Sequence, residues 1–231
     1  MDTIDANLQA VKARIEAAAK QCGRDAESVE LLAVSKTFGA DAVRSAHDAG
    51  QCAFGENYVQ EAVEKIAALS ALPLIWHFIG PIQSNKTRQI AEHFDWVHSI
   101  DRLKIAERLA DARPAVRAPL QVCIQVNIGD ETSKSGVAPA DAPELARAIS
   151  RLPRLVLRGL MSIPPVSTDN TAQRGYFSQL RRLRDEIASQ VCPLDTLSMG
   201  MSADLEAAIA EGSTMVRVGT AIFGTRHRNK A

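Results

Sequence analysis

A lysine near the start of the sequence and a glycine-containing pattern near its end have the chemistry to hold a phosphorylated aldehyde between them. Lys36 ends the apolar run LLAVSK, which has the form of a buried parallel strand. A desolvated lysine beside cationic groups has a lowered pKa and becomes a nucleophile toward aldehydes. Because most lysines lie in water, this run alone leaves both a solvated and a covalently acting Lys36 open.

The pattern near the end of the sequence is typical of an anion site. The segment MGMS is predicted to leave a strand and enter a helix with Ser202 as its N-cap, and MVRVGTAIFG places Gly219 and Thr220 within the last strand. Free N–H groups at a helix N-terminus and backbone left open by glycine both attract anions. Barrels often bind phosphate after strands seven and eight, so we expect phosphate here. The alternative is a capped helix and a glycine required for packing.

Arg217 lies on the same strand face as Gly219. A buried arginine needs partners, because its charge is expensive to desolvate. It is therefore either half of an ion pair inside the protein or a donor to a bound ligand.

A segment at 164–171 is predicted to be a flexible loop and a candidate lid. Weaker candidates for the site are His77 in WHFIG, Asn85 and Lys86 after GPIQS, and Lys134 in SKSG.

The elements that must position these residues alternate regularly between strand and helix. Strands separated by helical crossovers form parallel sheets, and eight such units favour a single α/β domain, a (β/α)8 TIM-type barrel. An open doubly wound sheet is the competing architecture. A further helix is predicted over 3–22, and we expect it to cover the side of the eighth strand, which no predicted helix follows. The predicted strands are 31–36, 52–57, 74–80, 96–100, 120–127, 155–163, 196–201 and 215–223.

Polar residues along one face of several strands indicate a polar interior. A parallel strand covered on both sides is normally apolar throughout, yet QVCIQVNI alternates, with Gln121, Cys123, Gln125 and Asn127 on one face. In a barrel the pocket lies at the carboxyl ends of the strands. The residues expected there are Lys36, Asn57, Asn127, Ser202, Gly219 and Thr220.

Length and composition limit the class of protein. A chain of 231 residues with 46% hydrophobic content suits one domain over 1–231, with the barrel over about 31–225. Lys+Arg and Asp+Glu both number 27, which argues against nucleic-acid and membrane partners. The four cysteines are scattered without metal-ligand spacing, and the sequence begins without a signal pattern. We therefore expect no metal and a cytoplasmic protein.

Seven segments in order resemble the pyridoxal phosphate homeostasis protein family (the YggS family). They are LLAVSKT, FGENYVQE, WHFIGPIQSNK, SKSG, LRGLMSIP, LSMGMSADLEAAI and STMVRVGTAIFG, and they run from about residue 31 to residue 225. The resemblance implies a barrel similar to the N-terminal domain of alanine racemases, with pyridoxal 5′-phosphate (PLP) as cofactor. It implies a Schiff base between Lys36 and PLP, and an arginine, Arg217, facing the pyridine nitrogen. The other implied cofactor-binding residues are Ser202, Gly219 and Thr220 at the phosphate, Asn57 near the cofactor, and Met161, Ser162 and Met199 beside the ring.

The arginine bears on function. A pyridine nitrogen that faces a permanent cation is not readily protonated, which weakens PLP as an electron sink. Alanine racemases share this arrangement, but they have a second domain that supplies a catalytic tyrosine. Neither Tyr58 nor Tyr176 occupies an equivalent place in this sequence. We therefore expect no catalytic residues.

The resemblance then implies a regulatory protein that buffers or delivers PLP and so influences amino-acid and keto-acid metabolism. PLP-dependent apoenzymes are its expected transient partners, and a monomer is expected because the racemases dimerise through the second domain. One alternative is a racemase-like PLP enzyme with Lys36 and His77 or Lys134 as bases. Another is a barrel aldolase that binds a sugar phosphate at Lys36.

Overall fold

Eight parallel strands form a closed barrel, as predicted. The computed structural model describes residues 3–129, 135–165, 167 and 169–225. Each strand pairs with the next, and β8 pairs with β1, so the open-sheet alternative is wrong. The strands are β1 (Glu30–Val34), β2 (Ala53–Glu56), β3 (Ile75–Phe78), β4 (Trp96–Ile100), β5 (Leu120–Gln125), β6 (Leu155–Met161), β7 (Thr196–Met201) and β8 (Met215–Val218).

Helices surround the barrel and bury one apolar face each. The described helices are α1 (Thr3–Gln21), α2 (Ala40–Asp48), α3 (Val59–Ala68), α4 (Thr87–His93), α5 (Leu103–Ala112), α6 (Ala142–Ile149), α7 (Asn170–Gln190), α8 (Leu205–Ala210) and α9 (Thr220–Phe223). Helix α1 buries Leu8, Val11 and Ile15 at helical spacing. It packs against α2, α8 and α9, so it covers the side of the eighth strand as expected.

The end of the barrel differs from the prediction, because the eighth strand stops at Val218 and is followed by the short helix α9. Gly219 leaves the extended conformation (φ −117°, ψ −75°), and its carbonyl accepts hydrogen bonds from the N–H groups of Ile222 and Phe223. The apolar run AIF was predicted as strand because a short apolar run does not distinguish strand from helix.

Several strands also end earlier than predicted, and this places the polar residues in the loops. Strand β1 stops at Val34, so Lys36 lies in the turn that follows it, and Asn57 lies directly after β2. Strand β6 stops at Met161. These loops all open at the carboxyl end of the barrel, where a barrel positions its ligand.

A small apolar cluster of Leu32, Ala53 and Met215 is separate from the main core. The main core lies between the strands and the surrounding helices. None of the helices in the described part of the chain is long and apolar enough to cross a membrane.

Candidate functional site

One cavity of about 290 Å³ opens at the carboxyl ends of the strands. This volume is at the lower end of the range for small-molecule sites. Six of the predicted site residues line it: Lys36, Asn57, Ser202, Arg217, Gly219 and Thr220. The other lining residues are Val34, Phe38, Ile79, Ile163, Met201 and Ala203.

The other three predicted cofactor-binding residues, Met161, Ser162 and Met199, are buried and do not line this cavity. Asn127, which was also expected at the pocket, does not line it either. Ile163, next to Ser162, and Met201, two residues after Met199, line it instead. Ser162 is nevertheless connected to the site, because its carbonyl accepts a hydrogen bond of 2.8 Å from Nη2 of Arg217. Their places beside a cofactor ring stay predictions.

Lys36 is carried by a tight turn that hydrogen bonds of Ser35 hold in place. Ser35 continues the sheet pairing through its N–H, which donates to the Gly55 carbonyl at 3.0 Å. The Ser35 carbonyl accepts from the N–H of Phe38 at 3.1 Å, which closes the turn. Lys36 itself is half-buried and lies on the cavity wall.

A buried ionic cluster lies against this turn. Lys65 of α3, 5% exposed, donates to Glu56 at 2.7 Å and to Glu61 at 2.5 Å. The hydroxyl of Ser35 donates to the same Glu56 oxygen at 2.6 Å. Burial raises the pKa of Glu56, and the Lys65 ammonium partly offsets that effect. The cluster is therefore held together by the buried ion pair between Lys65 and Glu56.

Arg217 is a buried cation of a different kind, held by neutral groups. Its Nη1 donates to the carbonyl of Ser198 at 2.6 Å and to the Ser198 hydroxyl at 2.8 Å. No ion pair joins it to a carboxylate within the described residues; Asp204 acts on it only at longer range. Burial lowers the pKa of Arg217 to about 10, which leaves it a cation at neutral pH.

A polar chain continues from Arg217 across the barrel interior. Nδ1 of His98 lies 2.8 Å from the Ser198 hydroxyl, and Nε2 of His98 lies 3.0 Å from Nδ1 of His77. Arginine only donates, so the Ser198 oxygen accepts from it and its hydroxyl donates to His98. We accordingly place the ring proton of His98 on its Nε2, which donates to Nδ1 of His77. Because Nδ1 of His77 accepts, the ring proton of His77 is on its own Nε2.

Both histidines are neutral at physiological pH. Burial lowers the pKa of His77 to about 3, and burial, together with the interaction with His77 and the Arg217 cation, lowers the pKa of His98 well below its ordinary value. His77 stacks on Trp96 with ring centroids 5.3 Å apart, and it does not line the cavity. His77 therefore belongs to the row of hydrogen-bonded side chains in the barrel interior.

The backbone of β7 and α9 forms the other wall of the cavity. A Cβ on Gly219 would lie 3.1 Å from the Val34 carbonyl, so a side chain there would crowd β1. The prediction that Ser202 caps a helix is wrong, because α8 begins at Leu205 with Asp204 before it. The carboxylate of Asp204 accepts from the N–H of Met201 at 2.6 Å, which inserts a turn ahead of the helix.

Ser202 still reaches the cavity from that turn, and a contact with α1 fixes its backbone. Nη2 of Arg14 donates to the Ser202 carbonyl at 3.2 Å and also pairs with Glu206. The N-terminal helix thus helps to shape the cavity wall.

Four buried side-chain polar atoms have no hydrogen-bond partner in the described part of the chain: Oδ1 of Asn57, Oε2 of Glu56, Nε2 of His77 and the hydroxyl of Ser162. Asn57 is the one of these four residues that lines the cavity. Buried polar groups are normally satisfied, so the unpartnered Asn57 oxygen on the cavity wall points to a bound polar molecule. Gly80 allows the Asn57 backbone to lie close, since a Cβ on Gly80 would be 2.3 Å from the Asn57 carbonyl oxygen. Together with the Arg217 guanidinium, the Asn57 amide oxygen fits a polar ring compound such as PLP.

The other candidates lie elsewhere. Asn85 and Lys86 lie in a short helical turn after β3 and do not line the cavity. Lys134 lies outside the described residues, as do two positions of the 164–171 segment, whose last two residues begin α7. No group of residues able to hold a metal occurs among the residues that the structure describes.

Sequence reasoning missed the groups that support the site. Glu56 precedes Asn57 in the FGEN segment and was read as part of a strand. Lys65 and Glu61 have the spacing of an ordinary surface pair on a helix. Ser198 and His98 lie on predicted strands, and only the strand alternation that placed Arg217 inward could have indicated them.

Comparison with known proteins then places the chain in a family. The model of the alanine racemase N-terminal domain matches residues 6–227. A pyridoxal phosphate homeostasis protein of Pseudomonas aeruginosa is 61% identical over 226 residues, covering 98% of this chain and 97% of that protein. One of Escherichia coli K12 is 55% identical over 100% of both chains. The chain belongs to the pyridoxal phosphate homeostasis protein family.

Solved structures agree with this membership. The structure of PipY of Synechococcus elongatus with PLP bound is 39% identical, with a TM-score of 0.84, and covers 96% of this chain and 100% of that one. An alanine racemase of Corynebacterium glutamicum is 17% identical with a TM-score of 0.71, covering 97% of this chain and 61% of that one. The racemase likeness is one of fold.

Proposed function

We propose that this chain binds PLP without turning it over and takes part in PLP homeostasis, by buffering the cofactor or handing it on. The observation that carries the proposal is that Lys36, Arg217 and the Gly219–Thr220 backbone line one cavity. The names of the relatives and the PLP-bound structure of PipY support it.

PLP supplies an aldehyde that condenses with a primary amine with loss of water, a phosphate, and a pyridine ring that accepts electrons. In our proposal Lys36 holds the aldehyde end. Ser202, Gly219 and Thr220 hold the phosphate end. Arg217 faces the pyridine nitrogen, and the amide of Asn57 binds near the ring. Met161, Ser162 and Met199 are the proposed ring neighbours.

Absence of turnover is part of the proposal and rests on Arg217. A pyridine nitrogen beside a cation that stays charged at neutral pH is difficult to protonate, so the ring stabilises a carbanion poorly. A second acid or base is also needed on the other side of the cofactor for racemisation. Tyr58 is 55% exposed and does not line the cavity, and His77 is buried in the interior chain.

The binding proposal is tested by the visible absorption of the protein after addition of PLP. The wild type should gain an absorption band at a longer wavelength than that of free PLP, and it should keep this band through gel filtration. Lys36→Ala should lose that band, because it lacks the amine. Lys104→Ala on the exposed face of α5 is the matched control and should keep it. A wild type that takes up no PLP, or a Lys36→Ala variant that keeps the band, would refute the proposal.

Absence of turnover is tested separately with the PLP-loaded protein in deuterated water. Incubation with L-alanine or L-serine should leave the α-proton unexchanged over hours. Rapid exchange would instead support the racemase-like alternative.

We further propose that the chain acts as one domain over 1–231, as a cytoplasmic monomer that meets PLP-dependent apoenzymes transiently. The equal numbers of acidic and basic residues support the absence of nucleic-acid partners. Sedimentation of the PLP-loaded protein should give a mass near 25.0 kDa, and a dimer mass would contradict the monomer.

A further inference from the structure

The two peptide groups on either side of Lys36 are both bound by side chains of helix α3. Nζ of Lys65 donates to the Ser35 carbonyl at 2.8 Å, and the N–H of Thr37 donates to Oε1 of Glu61 at 2.6 Å. Lys65 and Glu61 also pair with each other at 2.5 Å. The two members of one ion pair on α3 therefore bind the backbone immediately before and immediately after Lys36.

This turn would not be expected to hold its shape without help. Thr37 has a φ of +70°, a left-handed conformation that a β-branched residue rarely adopts. Such backbone persists only where the surroundings determine it, and such residues occur often at binding sites. The Thr37 N–H that Glu61 binds belongs to this same residue, so Glu61 directly offsets the cost of the conformation.

The ion pair is in turn anchored to the barrel. Lys65 donates to Glu56 at the end of β2, and the Ser35 hydroxyl donates to the same carboxylate oxygen. The side chain of Glu56 is fully buried. The end of β2 thus fixes the position of Lys65, and Lys65 and Glu61 together fix the turn that carries Lys36.

We infer that Glu61, Lys65 and Glu56 are positioning residues that aim the Lys36 amine into the cavity for capture of an aldehyde. The inference rests on the proposed function. Lys65 and Glu61 act through the backbone on either side of Lys36, and Glu56 acts through Lys65 and the Ser35 hydroxyl. None of these three positioning residues lines the cavity. A well-aimed amine reacts faster than one on a loose turn, because less orientational freedom is lost in the reaction.

The test compares two ligands that differ only at the reacting group. Pyridoxine 5′-phosphate has an alcohol in place of the aldehyde, so its affinity reports the cavity and phosphate site alone. The rate of covalent attachment of PLP, followed by absorbance in a stopped-flow instrument, reports the lysine as well. Glu61→Ala removes the acceptor for the Thr37 N–H. Because 31% of the Glu61 side chain is exposed, the substitution leaves no large internal gap.

We expect Glu61→Ala to bind pyridoxine 5′-phosphate like the wild type and to attach PLP more slowly by about tenfold or more. Glu61→Gln should restore most of the rate, because its amide oxygen still accepts from Thr37. Glu61→Asp, which keeps the charge but withdraws the acceptor, should be slow like the alanine variant. Glu92→Ala, which removes a similar pair with Arg88 on α4, is the matched control and should behave like the wild type.

Attachment at the wild-type rate in Glu61→Ala and Glu61→Asp would overturn the inference. Equal losses for both ligands would also overturn it, because they would assign Glu61 a general role in stability. A wild type that binds pyridoxine 5′-phosphate but never attaches PLP would refute the proposed function at Lys36, and this inference with it.

Discussion

Two cations are buried on either side of β1, and they are stabilised in opposite ways. Lys65, between β1 and α3, is 5% exposed and pairs with two carboxylates. Arg217, on β8, is 4% exposed and is bound by the Ser198 and Ser162 carbonyls and the Ser198 hydroxyl. One charge is neutralised locally and the other is not.

This difference separates a supporting residue from a ligand-binding one. The charges of a buried ion pair balance each other, so the pair presents little charge to a ligand. A guanidinium held by carbonyl dipoles keeps its charge, and Arg217 lines the cavity whereas Lys65 does not. The positive charge of Arg217 is therefore directed at whatever binds in the cavity, which is why we assign it to the acceptor nitrogen of a ring.

Removal of the paired cation should have the largest effect on stability. Lys65→Met leaves Glu56 buried without its counterion, and we expect a loss of about 3–5 kcal/mol in the free energy of unfolding. Urea denaturation of the protein without PLP measures it. A loss below about 1 kcal/mol would show that the cluster is not the structural ion pair described above.

Removal of the Arg217 cation should lower the free energy of unfolding by less, because no unpaired buried charge is left behind. Arg217→Met leaves carbonyl groups and a hydroxyl without donors, for which we expect a loss of about 1–3 kcal/mol. The same urea titration gives the value. An equal or greater loss than for Lys65→Met would remove the distinction between the two cations.

The polar chain behind Arg217 should make stability depend on pH. His77 is neutral in the folded protein with a pKa of about 3, and it gains a proton on unfolding below its ordinary value of 6.5. Stability is therefore lost as the pH falls from 6.5 toward 3. His77→Gln should reduce the loss between pH 8 and pH 5 by about 2 kcal/mol, because one such group is gone.

Ser198→Ala is the control for that experiment. This substitution breaks hydrogen bonds in the same row of interior polar side chains without removing a titrating group. It should therefore lower the free energy of unfolding by a similar amount at pH 8 and at pH 5. If His77→Gln left the pH dependence as it is in the wild type, His77 would not be neutral in the folded state.

The smallest effect is expected at an exposed counterpart of the paired cation. Arg88 and Glu92 form a pair four residues apart on α4, as Glu61 and Lys65 do on α3, but the Arg88 side chain is 82% exposed. Arg88→Met should leave the melting temperature unchanged within error, because exposed pairs contribute little. A clear drop in calorimetry would mean that burial is not what distinguishes the Lys65 cluster.

The barrel and the residues on its inward strand faces were predictable from the sequence. Strand alternation placed Arg217 and Gly219 on one face, and both line the cavity. The helix after β8 was not predictable, because four residues are too few to show a helical period. The Asp204 turn that displaces the cap from Ser202 depends on a side-chain contact that spacing alone does not reveal.

The Lys65 cluster was beyond prediction for a different reason. Glu61 and Lys65 read as an ordinary surface pair, and their burial depends on how α3 packs against β1 and β2. The left-handed Thr37 likewise has no signature in the sequence, since threonine seldom adopts that conformation. Groups that position a site act through tertiary contacts, whereas groups that bind a ligand often carry a recognisable motif.

The most direct test of the account is to identify which lysine PLP occupies. The wild-type protein is loaded with PLP, reduced with borohydride, digested and mapped by mass spectrometry. We expect the phosphopyridoxyl group on Lys36 and on no other residue in stoichiometric amount. A stoichiometric label on a different lysine, or no label at all, would contradict the assignment of the cavity to PLP.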